Sequence, residues 1–285
     1  MFKLSDYKTE YTCQNGDVIL NNIDCFELAD TLDCGQAFRF NGEGNVWQGV
    51  ALDRPVALEK SGNDIILHDM DEKEFLDKFY RYFTLDIDYP ALIKEFCKDE
   101  TLKKATDFAR GIRMLRQDKW ETVCSFIISQ NNNIPRIKGI IDRLCQGFGK
   151  PLGGGLYSFP TAQDISCLTV EDLSPLRAGF RAKYIIDAAK KIADGTVDTA
   201  LLETASLDEA RASLMQINGV GPKVAECVLL FSCSRFDAFP LDVWIKRVMA
   251  ILYPDGLPDC ALEYKGIAQQ YLFHYARMNK LKGDE

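Results

Sequence analysis

Lys223 stands in the segment Gln216-Ile217-Asn218-Gly219-Val220-Gly221-Pro222-Lys223-Val224-Ala225, and Phe239-Pro240-Leu241-Asp242-Val243 follows it. A primary amine can attack an electrophilic carbon, and a carboxylate beside it can stabilise a cation formed in that attack. The two glycines suit a turn that a side chain would obstruct, and they leave backbone N–H groups to face an anion. Pro222 suits the first position of a helix, where its missing N–H has no partner to lose. The pattern therefore predicts a hairpin that opens a helix, a lysine in that helix's first turn, and an aspartate opening the next helix. This is amine chemistry beside a bound phosphate. The competing reading is an exposed lysine after an ordinary turn, and the Pro-Leu-Asp-Val continuation argues against it.

This constellation resembles the helix-hairpin-helix–GPD superfamily of DNA base-excision glycosylases, and its Lys and Asp match the bifunctional glycosylase/lyase branch. Further motifs narrow the resemblance to the 8-oxoguanine DNA glycosylase/lyase family. They are Cys34-Gly35-Gln36-Ala37-Phe38-Arg39-Phe40, Ser129-Gln130-Asn131-Asn132-Asn133-Ile134-Pro135-Arg136, Gly179-Phe180-Arg181-Ala182-Lys183-Tyr184 and Ala268-Gln269-Gln270-Tyr271-Leu272-Phe273. The hairpin defines the superfamily. Gly-Gln-x-Phe-Arg and Ala-Gln-x-x-Leu-Phe point to the oxidised-guanine family.

The resemblance implies a set of roles. A base inside a duplex must be rotated out before its glycosidic carbon is reachable. Asn131 would enter the vacated space, Phe180 would wedge against the neighbouring base, and Arg136 and Arg181 would read the orphaned cytosine with their forked donors. The Gly35 carbonyl would accept the N7 hydrogen that distinguishes 8-oxoguanine from guanine. Gln269 would pair with the Watson–Crick edge, with Phe273 on one face of the base and Cys227 on the other. Lys223 would attack C1′ and form a Schiff base, Asp242 would stabilise the sugar cation, and β-elimination would cut the strand. The N–H groups at Gly219 and Gly221 would hold a phosphate. Trp244 departs from the polar residue expected two positions after the aspartate. Each residue also has a plainer use: Asp242 and the asparagines as caps, Gly35 as a strand-end glycine, Gln269 on a solvated helix face, and Cys227, Phe273 and Phe180 in a core.

These side chains need a scaffold. The first ~70 residues read as antiparallel strands and turns. Ala37–Phe40 and Val46–Val50 flank a turn at Asn41-Gly42-Glu43-Gly44, and Pro55–Glu59 and Ile65–His68 flank a second turn. Helices are predicted over Asp71–Phe83, Tyr89–Cys97, Asp118–Gln130, Pro135–Cys145, Ala182–Ala193, Leu207–Ile217, Pro222–Ser232 and Asp242–Leu252, with a loop at Pro151–Gly155. The expected class is α+β: an N-terminal twisted antiparallel sheet domain over 1–100, packed on an all-α helix-hairpin-helix catalytic region over 101–285.

An apolar share of 47% supports a substantial core, and no apolar run would span a bilayer. The N-terminus lacks a secretory layout, which points to the cytosol or nucleoid. Ten cysteines without a C-x-x-C pair read as reduced, mostly buried thiols, and Cys260 alone cannot hold an iron–sulfur cluster. With two histidines, a histidine metal site is not expected, and the reaction requires no cofactor. A monovalent cation at the hairpin is compatible with the pattern. The net charge of −8 argues against indiscriminate DNA binding. A local basic face would draw on Arg136, Lys138, Arg181, Lys183, Lys246 and Arg247. The expected partner is double-stranded DNA carrying 8-oxoguanine opposite cytosine, bound by a monomer. The rival readings are a glycosylase of this superfamily for another lesion, and a non-catalytic protein using the hairpin as a phosphate clamp.

Overall fold

The computed structural model describes residues 8–280. Six strands form one antiparallel sheet: β1 (Tyr11–Gln14), β2 (Asp17–Leu20), β3 (Phe40–Glu43), β4 (Val46–Ala51), β5 (Arg54–Ser61) and β6 (Asp64–Leu67), in the order β1-β2-β6-β5-β4-β3. Val18 and Leu20, Val56 and Leu58, and Ile65 and Leu67 are buried at alternate positions, the two-residue period of a sheet with one covered face. The short helix α1 (Leu28–Leu32) lies between β2 and β3 in the chain. After β6, α2 (Glu72–Glu74), a π-helical stretch (Phe75–Phe79) and α3 (Tyr80–Tyr82) run on continuously. Phe75, Phe79 and Phe83 bury against the sheet in one apolar cluster.

The first hairpin turns later than expected. Asn41, Gly42 and Glu43 are strand, paired with Gln48, Trp47 and Val46, and the chain reverses at Gly44-Asn45. The cause is packing. A Cβ on Gly42 would lie 2.7 Å from the Trp47 indole, so Gly42 makes room for a ring, while Gly44 takes the left-handed φ of +57°. Ala37–Arg39 is irregular chain rather than strand.

The helical part comprises α4 (Tyr89–Phe96), α5 (Glu100–Phe108), α6 (Lys119–Ser129), α7 (Ile134–Phe148), α8 (Ala162–Ser166), α9 (Arg181–Ala193), α10 (Leu207–Leu214), α11 (Pro222–Ser232), α12 (Val243–Leu252), α13 (Asp259–Leu262) and α14 (Lys265–Met278). Asp88, Asp99, Asp118, Asn133, Thr161, Ser206 and Asp242 each cap a helix by accepting the N–H three residues on. Such a cap contributes about 1 kcal/mol. Where a loop was expected, Pro151–Gly153 and Leu156–Tyr157 pair as a small hairpin.

The two apolar clusters interleave along the chain: Leu115 packs with the sheet, while Cys25 and Phe38 belong to the helical core. Leu85 packs with the sheet, whereas Ile87, Tyr89, Leu92 and Phe96 already belong to the helical core. Polar side chains tie the halves together. Gln36, fully buried, donates to the Thr31 and Arg113 carbonyls at 2.8 and 2.7 Å and accepts from Leu115 N–H at 2.9 Å. Arg113 is equally buried, bonded to the Cys25 and Thr84 carbonyls and placed over the Tyr89 ring.

Candidate active site

Six of the residues expected to touch a flipped base or its sugar line one cavity: Gly35, Lys223, Cys227, Asp242, Gln269 and Phe273, joined by Phe126, Phe231, Pro240 and Gln270. They come from four separate stretches of chain. Gly35 sits in the turn after α1, with φ of +96°, a torsion that makes glycine the fitting residue there. Space does not demand it, since an added Cβ would meet its nearest neighbours, Arg277, Ile134 and Phe273, at 3.5–3.8 Å. Gln36 nails this turn to the 113–117 segment, which fixes the carbonyl of Gly35 relative to the helical core.

Lys223 lies in the first turn of α11, half-buried, with its Nζ 5.3 Å from the centroid of the Phe126 ring. Phe126 stacks in turn on Phe231 at 5.2 Å. One helical turn after the lysine, Cys227 is 3% exposed. Burial pushes its thiol pKa up, and the neighbouring Lys223 opposes this only in part, so the sulfur is a neutral, polarisable wall. Asp242 caps α12 through Ile245 N–H at 2.8 Å. Burial raises its carboxyl above the ordinary range, offset in part by that N–H and by the charge of Lys223. Asp242 therefore caps a helix while its carboxyl interacts electrostatically with the lysine. Gln269 is 4% exposed on α14, and its amide N–H reaches Pro240 O at a long 3.4 Å.

The hairpin enters this site from below Lys223. Asn218 is clamped by Asp187, through its N–H at 2.7 Å and its amide at 2.9 Å. Gly219 has φ of +81°, and a Cβ there would lie 2.4 Å from the Tyr184 ring. Gly221 differs from expectation: its φ is −99° and nothing stands within 4 Å of an added Cβ. The chain itself does not obstruct a side chain at Gly221. What glycine does there is leave the mouth of α11 open, with no side-chain cap on its first-turn N–H groups. The expected result is that Gly219→Ala lowers stability by about 2–4 kcal/mol, from the left-handed torsion and the ring overlap together. Gly221→Ala leaves the melting temperature nearly unchanged and weakens DNA binding instead. Thermal unfolding and duplex titration of both variants check the contrast.

The residues expected to handle the duplex stay outside the cavity. Asn131 is exposed in a left-handed turn with φ of +48°, between α6 and the Asn133 cap of α7. Phe180, at the start of α9, is 50% exposed, a poor core residue and an available wedge. Arg136 is exposed. Arg181 departs from expectation: it is 2% exposed, and its guanidinium donates to the carbonyls of Gln130, Asn131 and Ala178. It shapes the Asn131 turn, which leaves little of its donor fork for a base. It also stacks at 4.4 Å on Phe180, while its bonds to Gln130 and Asn131 join the two motifs into one unit. Lys138 is likewise committed, to Asp33 and the Phe40 carbonyl, both at 2.9 Å. The exposed cations of the expected basic face are thus Arg136, Lys183, Lys246 and Arg247. Trp244 is half-buried under Arg247, whose guanidinium lies 5.2 Å from its ring.

Residues 18–123 match the family described as 8-oxoguanine DNA glycosylase, N-terminal domain, and residues 124–256 match the HhH-GPD superfamily of base excision DNA repair proteins. A probable N-glycosylase/DNA lyase of Methanothermobacter thermautotrophicus is 30% identical over 75% of this chain and 78% of its own length. The chain belongs to the 8-oxoguanine DNA glycosylase family. An N-glycosylase/DNA lyase of Saccharomyces cerevisiae is 33% identical over 78% of this chain and 66% of its own, so the chain spans about two thirds of the yeast enzyme. A crystal structure of the Clostridium acetobutylicum 8-oxoguanine glycosylase/lyase, bound to duplex DNA with cytosine opposite 8-oxoG, superposes with TM-score 0.88 at 37% identity. It covers 95% of this chain and 99% of that one. The two matched segments meet inside α6, so the first takes in the sheet together with α4 and α5, whose Tyr89, Leu92 and Leu102 belong to the helical core.

For this glycosylase, sequence reasoning missed Phe126, Phe231, Pro240 and Gln270 as cavity walls, and Glu226 behind them. The phenylalanines sit in continuous apolar runs, which carry no mark of a lining role. Glu226, 7% exposed, was marked only by being a charge within an apolar helix. It accepts from Phe239 N–H at 2.6 Å and pairs with Arg211 Nε at 2.6 Å. It therefore straps the Phe239–Asp242 segment to the helix that carries Lys223. We expect Glu226→Ala to cost about 1–3 kcal/mol, by orphaning that N–H, and to slow excision, while Glu226→Gln retains an acceptor and most of the rate. Melting temperatures and single-turnover rates of the two variants test this.

A larger cavity, about 240 Å³ against about 60 Å³, lies between the sheet and α7. Its cations are paired, Arg39 with Glu121 and Lys138 with Asp33, whereas Lys223 and Asp242 line the smaller cavity together.

Proposed function

We propose that this protein removes 8-oxoguanine from duplex DNA and then cuts the strand at the resulting site. The observation that carries the reading is that Lys223 and Asp242 share one cavity with Gly35 and Gln269. Nucleophile, charge stabiliser and base-reading groups converge there from distant parts of the chain.

The chemistry follows from the groups present. As the glycosidic bond breaks, positive charge grows on the sugar, and the Asp242 carboxylate lowers its energy in a partly dry site. The lone pair of Lys223 Nζ forms a bond to C1′, and the base leaves with the electron pair of the broken bond and takes up a proton. Loss of a proton from nitrogen and opening of the sugar ring give a protonated Schiff base. That iminium acidifies C2′. Loss of a C2′ proton then expels the 3′ phosphate, and water releases the lysine. The protein needs no metal or organic cofactor for these steps in this reading, and a monovalent cation at the hairpin would serve only to hold it on the phosphate.

Selectivity is assigned to Gly35 and Gln269. A carbonyl at Gly35 accepts the N7 hydrogen of 8-oxoguanine and faces a lone pair in guanine, a difference worth several orders of magnitude in a dry pocket. Asn131 and Phe180 occupy the gap left in the duplex, and Arg136 is placed to read the orphaned cytosine. Arg181 supports that turn and offers its remaining donor. The partner is double-stranded DNA, bound by a monomer in the compartment that holds the DNA. Among the described residues no helix is long and apolar enough to cross a membrane.

The test is borohydride trapping on duplexes carrying 8-oxoguanine opposite each of the four bases, beside duplexes with oxidised pyrimidines. The reading expects a covalent complex with 8-oxoguanine, strongest opposite cytosine. Trapping confined to another lesion would assign a different substrate, and duplex binding without trapping would leave only a phosphate clamp.

A further inference from the structure

Two neighbouring carboxamides on α14 are left incomplete in the same cavity. Gln269 is 4% exposed and its Oε1 has no hydrogen-bond partner. Gln270 is 2% exposed, lines the cavity beside Gly35, and its Nε2 has no oxygen or nitrogen partner, meeting only the Cys34 thiol. The Cys34 thiol beside Gln270 is a weak acceptor. An orphaned buried amide group has lost its hydrogen bonds to water without replacement, which costs stability. The free protein carries that cost twice, in consecutive residues, at the wall of the one cavity that holds Lys223 and Asp242.

One orphan is an acceptor and the other a donor. Together they complement an edge that presents one donor and one acceptor, as N1–H and O6 of an oxidised guanine do. We propose that Gln270 is a second base-reading residue, whose carboxamide donates to a carbonyl oxygen of the flipped purine while Gln269 accepts from its N–H edge. This rests on the 8-oxoguanine reading and deepens it. Phe273 and Cys227 offer only apolar surface and a neutral thiol, so the two amides supply the polar recognition on this wall.

The experiment uses the full chain and the variants Gln270→Met and Gln270→Glu. Methionine keeps the length and removes all polarity. Glutamate keeps the shape and removes the N–H donors. Three quantities are read: single-turnover excision of 8-oxoguanine opposite cytosine, strand cleavage at a preformed abasic site, and the melting temperature. Excision should fall at least about tenfold in both variants, because only the base-bearing substrate meets the amide. Cleavage of the abasic duplex should stay within about twofold of the native rate. The melting temperature of Gln270→Met should hold or rise, since an orphaned donor has been removed. A purely structural Gln270 would give the opposite: a lower melting temperature, with both activities falling together. That result, or unchanged excision in Gln270→Met, overturns the assignment. A native protein that cuts abasic duplex but leaves 8-oxoguanine in place would overturn the substrate reading itself, and this assignment with it.

Discussion

Lys223→Gln eliminates the covalent complex that borohydride traps with lesion-bearing DNA, and excision falls on the order of a thousandfold or more. The amide has no nucleophilic lone pair on nitrogen and cannot form an iminium, so no reducible intermediate arises. The rest of the protein is little disturbed. Glutamine and lysine have similar helix propensities, so α11 persists. The loss of the contact between Lys223 and Phe126 is worth about 0.5–1 kcal/mol. Binding to duplex is retained, because the hairpin N–H groups and the Asp187 clamp on Asn218 do not involve the lysine. The combination of intact binding, intact folding and absent trapping assigns the covalent step to one nitrogen. Trapping that survives in Lys223→Gln would place the reacting amine elsewhere.

Asp242→Asn separates catalysis from folding in a different way. Asparagine caps a helix as well as aspartate does, so the bond to Ile245 N–H at 2.8 Å can be kept. The variant loses the negative charge that steadies the sugar cation, and excision should fall by about 10²–10³-fold. The pH dependence of stability gives an independent signature. Burial raises the folded-state pKa of Asp242 above its unfolded value. Between the two values the folded protein binds more protons than the unfolded chain, so stability falls as pH rises through that window and stays lowered above it. Asp242→Asn lacks this contribution and should be at least as stable as the native protein at neutral pH. Native activity has the opposite slope, because the ionised carboxylate is the working form: excision declines as pH drops, at a higher pH than an ordinary aspartate would give. Paired melting and rate profiles from acid to neutral pH check both slopes. A large loss of stability in Asp242→Asn at neutral pH would show that the residue serves the fold first.

Lys223 and Asp242 stood out because their local context was distinctive. Gly219, Pro222 and Asp242 each do a backbone job that residue type announces: a left-handed turn, a first helical position and a cap. Most helices with capped, periodic sequences were legible for the same reason, but α5, capped by Asp99, and the 14-residue α14 were not among the expected spans. Short helices such as α8 and α13 were not, since four or five residues carry too little periodicity. The first hairpin misled because Gly42 and Gly44 look alike in a sequence, although one makes room for Trp47 and the other turns the chain. The burial of Arg181 was not legible, because an arginine in such a motif says nothing of how many carbonyls surround it. Here three do, and they draw its guanidinium inward.

By itself the sequence determined the family, and it marked out an amine, a glycine turn and a helix-opening carboxylate close together along the chain. Only the tertiary structure decided the pocket. It brought Gly35, from a turn beside the sheet, into one cavity with α11 and α14, placed Phe126 beside the lysine, and left one polar atom unsatisfied on each of two adjacent amides. Nucleophile and turn are set by neighbours along the chain, whereas a cavity is made of surfaces from distant segments, and its shape exists only once all of them have packed.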